Sequence, residues 1–206
     1  MRSVRLFLSF IASLTAFAAI AATQPSDPLP VLRGAVDEVL GIVYSGKAQT
    51  QPFSVLVRPI LEKNFSFDLI TRRAVGPGWR QFTPEQQKKT TALFTELVIR
   101  TYADRFEAGA QPGITYATPV ELAPNKRELP TTIDYAGKKY SVSYRMELAA
   151  DQWRVSDVII EGVSMIKNYR DQFDPMFQRG GAAEIIRILE EKLVQVAATP
   201  VPAPAK

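Results

Sequence analysis

The hydrophobic period of this chain changes twice, and that change limits its fold more than any other feature. From Pro30 to Phe106 the apolar residues recur at the three- and four-residue steps of helix faces; from Ile114 to Ile160 they alternate; after Gly162 the helical step returns. Alternating runs this close together make an antiparallel meander, because parallel neighbours need a crossover of a dozen residues or more. Helices on both sides of one such block predict an α+β fold. In it a curved antiparallel sheet packs on a long helix, with further helices toward the N- and C-termini.

The local signals place the elements. Pro30 suits the first turn of a helix carrying Leu32, Val36, Val39, Leu40 and Val43, with Gly46 as its stop. Residues 53–63 repeat the helical pattern weakly around Pro59, and 65–75 form a short helix halted by Gly76-Pro77-Gly78. Thr83-Pro84-Glu85-Gln86 joins an N-cap Thr, a Pro at the first helical position and a Gln that completes a capping box. Behind it Leu93, Phe94, Leu97, Val98, Thr101, Tyr102 and Phe106 share one face of a long helix ending near Gly109.

Four strands follow. The first spans 114–122, with Pro119 marking an edge or bulge; the second, 129–135, enters a turn at Ala136-Gly137-Lys138. In the third, Tyr140, Val142, Tyr144, Met146 and Leu148 share a face. In the fourth, Trp153 and Val155 fall out of phase with Val158 and Ile160, which predicts a bulge near Asp157. Two helices close the pattern, one bearing Met165, Ile166, Tyr169 and Phe173 and one, after Gly180-Gly181, bearing Ile185, Ile188, Leu189, Leu193 and Val196.

The first residues read as an export signal. Arg2 and Arg5 precede an apolar run over 6–20, and Ala19-Ile20-Ala21 offers small residues for cleavage after Ala21. The run is shorter than the roughly 20 apolar residues of a spanning helix. The expected organisation is a signal peptide over 1–21, one domain over 22–196 and a disordered Pro- and Ala-rich tail over 197–206. Of 25 basic residues, the two arginines leave with the leader, and 23 then face 21 acidic ones. No basic run stands out, which argues against a nucleic-acid partner.

The chain has neither His nor Cys, so the commonest general base, the usual zinc ligands and the cysteine nucleophile are all missing. Asp157 at the expected bulge, with Tyr140, Tyr144 and Arg154 nearby, leaves one enzymatic reading open, an NTF2-like proton transfer on an apolar substrate. Ser164 reads as a helix N-cap rather than a nucleophile, and Glu190 and Glu191 as a solvated face. Lys138, Lys139, Arg145, Lys167 and Arg170 could meet a phosphate at a pocket mouth. The many wide aromatic side chains fit either a filled core or the walls of a cavity, and composition does not separate the two.

Trp153-Arg154-Val155-Ser156-Asp157-Val158-Ile159-Ile160-Glu161-Gly162-Val163-Ser164, followed by Asn168-Tyr169-Arg170-Asp171-Gln172-Phe173, resembles the C-terminal signature of the MlaC-type periplasmic phospholipid-binding proteins, the toluene-tolerance auxiliary components of an ABC transporter. The resemblance extends through 79–86 and 98–103 and covers about Val31 to Val196. It implies a cystatin- or NTF2-like sheet around an apolar pocket, in a periplasmic carrier that keeps the outer membrane asymmetric. Its partners would be phospholipid, an inner-membrane ABC transporter with its lipid-binding subunit, and an outer-membrane lipoprotein and porin complex. The carrier itself would need no cofactor, metal or catalytic residue.

Such a carrier must enclose both tails. Exposing about 30 methylenes at roughly 0.8 kcal/mol each costs on the order of 20 kcal/mol. The residues expected to line the slot are Leu69, Ile70, Phe94, Val98, Tyr102, Val142, Tyr144, Met146, Val158, Ile160, Met165, Ile166 and Tyr169. Lys139, Arg145 and Arg170 are the expected head-group contacts.

Overall fold

The computed structural model describes residues 27–44, 51–103 and 111–198. The expected signal peptide, Gly46, Phe106, Gly109 and the tail beyond Ala198 lie outside the described residues. The expected architecture is present, with five helices and a curved six-stranded antiparallel sheet among the described residues.

Helix α1 (Pro28–Tyr44) begins two residues before the expected Pro30, because the Asp27 carboxylate accepts the Leu29 N–H at 3.0 Å and Pro28 needs no donor there. Helix α2 (Phe53–Asn64) carries Pro59 on its exposed side. Helix α3 (Phe67–Val75) starts two residues later than its periodicity suggests. Phe65 instead pairs with Val155, and the Ser66 N–H donates to the Val155 carbonyl at 2.9 Å, so this segment borders the sheet before it coils. Gly76 ends α3 at φ 74°, a left-handed angle that glycine adopts without strain, and a 3-10 turn over Gly76–Gln81 follows.

Helix α4 (Pro84–Ala103) has the expected reciprocal cap. The Gln86 N–H donates to Thr83 Oγ1 at 3.2 Å, and the Thr83 N–H to Gln86 Oε1 at 2.9 Å.

The expected first strand is two strands, β1 (Gly113–Tyr116) and β2 (Val120–Ala123), lying end to end along the same edge of β3 (Lys126–Tyr135). The break falls at 117–119, where Pro119 has no N–H to give to a ladder. Val120 and Leu122, beyond the break, are exposed.

Strands β4 (Lys138–Ala149), β5 (Gln152–Ile160) and β6 (Val163–Ser164) complete the meander in the order β1-β3-β4-β5-β6. Its hairpin turns, Ala136-Gly137, Ala150-Asp151 and Glu161-Gly162, each have positive φ at both residues, from 48° to 79°. That is the mirror-image turn whose twist matches the strands it joins.

The register between β4 and β5 slips from Arg145↔Asp157 to Met146↔Val155, which makes Ser156 the extra residue of a bulge. The bulge turns Val155 and Val158 to one face and Asp157 to the other, as the phase slip predicted. Two-residue β6 was not legible beforehand. Helix α5 (Met165–Ala198) is bent by non-helical angles at Gly180 and Gly181, the expected break, and it is still helical at Ala197 and Ala198, where the tail was expected to begin.

Two cores hold these layers. Among the helices, Ile70, Phe94, Phe173, Ile185 and Leu189 are fully buried; against the sheet, Leu32, Leu129, Met146, Trp153 and Val155 pack together. None of the described helices is long and apolar enough to cross a membrane.

Candidate functional site

Where the two cores meet, the interior is not filled. A cavity of about 280 Å³ lies between the sheet and the helices. One face of the sheet forms its floor through Val142, Tyr144 and Met146 of β4 and Val155, Val158 and Ile160 of β5. Helix α1 covers it with Val31, Leu32, Ala35, Val36, Val39 and Leu40; α2 adds Phe53, Val57 and Ile60; α4 adds Val98, Ile99 and Tyr102. Ile114 and Ile133 close the side at β1 and β3, and Met165 closes the end at α5. The lining is almost wholly hydrocarbon. Among the described residues, only Asn64, Tyr102 and Tyr144 bring polar side chains to it, and the Asn64 amide is already spent on the Ile60 carbonyl at 2.8 Å.

Of the residues expected to line a slot, Val98, Tyr102, Val142, Tyr144, Met146, Val158, Ile160 and Met165 meet here. Five do not. Ile70, Phe94, Ile166 and Tyr169 belong to the helical core, where the Phe94 ring stands edge-on to Tyr169 at 4.7 Å and to Phe173 at 5.5 Å. Leu69 faces a separate hollow, lined largely by charged residues such as Arg58, Asp68, Arg72, Glu96 and Arg154. The sequence offered no way to divide one apolar face of α4 between a core and a cavity. The larger omission is α1, whose helical spacing was plain but whose role as the cover was not.

The basic residues expected at a head group are placed otherwise. Arg145 donates to Glu128 at 2.9 Å and lies 3.6 Å from Asp157, on the sheet face opposite the cavity floor. Arg170 donates through Nε to the Arg73 carbonyl at 2.8 Å and so caps the end of α3. Both are structural side chains; Lys139 is exposed beside the β3–β4 turn, across the ladder from Asp134. On that same outer face Glu147 meets Arg73 at 2.7 Å and Lys126 at 3.1 Å. Its burial would raise the carboxyl, but the hydrogen bonds and charges of Arg73 and Lys126 outweigh this and hold it at about 2.

Asp157 cannot serve as a base for a substrate in the cavity. It does not line the cavity, and its oxygens accept the Ser164 hydroxyl at 2.6 Å and the Ile166 N–H at 3.2 Å, which fixes the start of α5. Ser164 in turn accepts the Lys167 N–H at 3.1 Å, the expected N-cap. Tyr140 is exposed, and Arg154 is bonded to Gln152, so neither joins Tyr144 in a catalytic group.

The family model of the MlaC protein matches residues 33–191. The chain belongs to the MlaC family. A curated MlaC relative, toluene tolerance protein ttg2D of Pseudomonas putida, is 28% identical over 169 residues, covering 79% of this chain and 77% of its own. A solved structure of a phospholipid-binding protein from Ralstonia solanacearum, determined in complex with a phospholipid, superposes with a TM-score of 0.75 at 26% identity. That likeness spans 84% of this chain and 99% of the other. The MlaC fold expected from the sequence motifs is therefore the fold observed, with the cavity lying between its helices and its sheet.

Proposed function

We propose that this MlaC-family chain is a periplasmic phospholipid carrier, moving lipid between the outer membrane and an inner-membrane ABC transporter and so preserving outer-membrane asymmetry. The observation that carries the reading is the hydrocarbon-lined cavity between α1, α2, α4 and the sheet. A water-filled space lined this way has no stable polar contents, whereas acyl chains entering it lose their cost of hydration. The phospholipid held by the Ralstonia protein of the same fold supports the choice of ligand.

The expected export signal and the lack of a spanning helix among the described residues suit a protein that diffuses between two membranes. The partners implied are the transporter with its lipid-binding subunit and an outer-membrane lipoprotein and porin complex. With Arg145 and Arg170 committed to structural bonds, the head group remains in solvent and is held weakly. No catalytic step is assigned, since Asp157 is a helix cap.

A transfer assay tests this. With donor vesicles carrying a self-quenched fluorescent phospholipid and unlabelled acceptor vesicles, the protein is expected to raise the transfer rate in proportion to its concentration. A rate equal to that without protein would overturn the carrier reading.

A further inference from the structure

The Tyr144 hydroxyl is a polar group in a hydrocarbon cavity, and among the described residues no hydrogen bond reaches it. Burial, and after it the neighbouring Tyr116, pushes its phenol up to about 12, so the proton stays on and the group is a donor. Tyr144 is only partly buried and its hydroxyl is within reach of water in the empty protein, so a ligand that displaces this water has to supply the partner itself. The other polar side chains of the lining do not share this position: Asn64 is bonded to Ile60, and Tyr102 has interactions of its own.

The place of Tyr144 says which part of a ligand it meets. Its neighbour Tyr116, on edge strand β1, lies under the guanidinium of exposed Arg33 at 4.6 Å. Tyr144 thus stands between the dry interior and the polar flank where α1 passes β1. In a phospholipid whose tails fill the interior, the acceptors at that junction are the carbonyl oxygens of the acyl esters.

We propose that Tyr144 is a specificity-determining residue, donating its hydroxyl proton to an acyl ester carbonyl of the bound lipid. This rests on the carrier reading and adds to it a preference for acyl esters over lipids with the same tails and head group but ether linkages. Nothing is transferred; the bond only selects.

The test offers the delipidated protein mixed vesicles holding equal amounts of dipalmitoyl phosphatidylethanolamine and its dihexadecyl ether analogue. The lipid recovered with the protein is then quantified by mass spectrometry. Wild type is expected to take the diester over the diether by about three- to tenfold, the worth of one net hydrogen bond. Tyr144→Phe, which keeps the ring and loses only the hydroxyl, is expected to take the two equally and to be no less stable without lipid. Equal uptake by wild type, or an undiminished preference in Tyr144→Phe, overturns the inference and leaves the carrier reading standing. Uptake of neither lipid by either form overturns both.

Discussion

Val142→Glu is expected to yield a folded protein that retains less than a tenth of the phospholipid that wild type carries through purification. Val142 is 6% exposed, sits in the middle of β4 between Thr131 and Ile160, and forms part of the cavity floor. A carboxylate there cannot reach bulk water, and an ion taken out of water without a partner costs several kcal/mol. In the empty protein, water entering the cavity relieves that cost. Acyl chains expel the water, so the penalty falls on binding rather than on folding. Lipid extraction, read beside circular dichroism on the same sample, checks the result. Lipid at the wild-type level in a folded variant would remove Val142 from the binding surface. Ile160→Glu is a gentler probe, because Ile160 is 38% exposed and its carboxylate could turn to solvent.

Phe94→Ala is expected to act in the opposite way, lowering stability by about 3–5 kcal/mol while the protein that remains folded binds lipid normally. The ring is fully buried against Tyr169 and Phe173 and does not line the cavity, so its removal opens a void in the helical core. Urea unfolding of delipidated protein measures the first effect, since bound lipid would itself add to the apparent stability. Lipid stoichiometry in the folded fraction measures the second. A stability near that of wild type combined with lost lipid would mean that Phe94 faces the ligand after all.

The contrast between these residues shows what the sequence could and could not reveal. Signals that arise within a few residues were legible: the Thr83–Gln86 cap, the Ala136-Gly137 turn, the phase slip that became the Ser156 bulge, and the break at Gly180-Gly181. Each follows from backbone geometry that local chemistry dictates. Phe65 misled because an apolar residue before a helix fits the helical pattern and a β-bridge equally well, and its partner Val155 is remote in the chain.

The cavity was harder still. Val98 and Phe94 are both apolar, one helical turn apart on α4, yet one faces open space and the other a packed ring cluster. Which is which depends on how α1 and α5 approach from either side, and periodicity does not contain that. Arg145 and Arg170, expected at a head group, are engaged within the fold for a related reason. Their partners, Glu128 and the Arg73 carbonyl, are supplied by other elements, and a cation already satisfied by the fold has little to offer a ligand.

The central claim, that this cavity exists to hold phospholipid tails, is tested most directly by extracting the wild-type protein with organic solvent after detergent-free purification and weighing what comes off by mass spectrometry. Phospholipid in an amount comparable to the protein is the expected result. Folded protein that releases none, and takes up none when mixed with phospholipid vesicles, would contradict it.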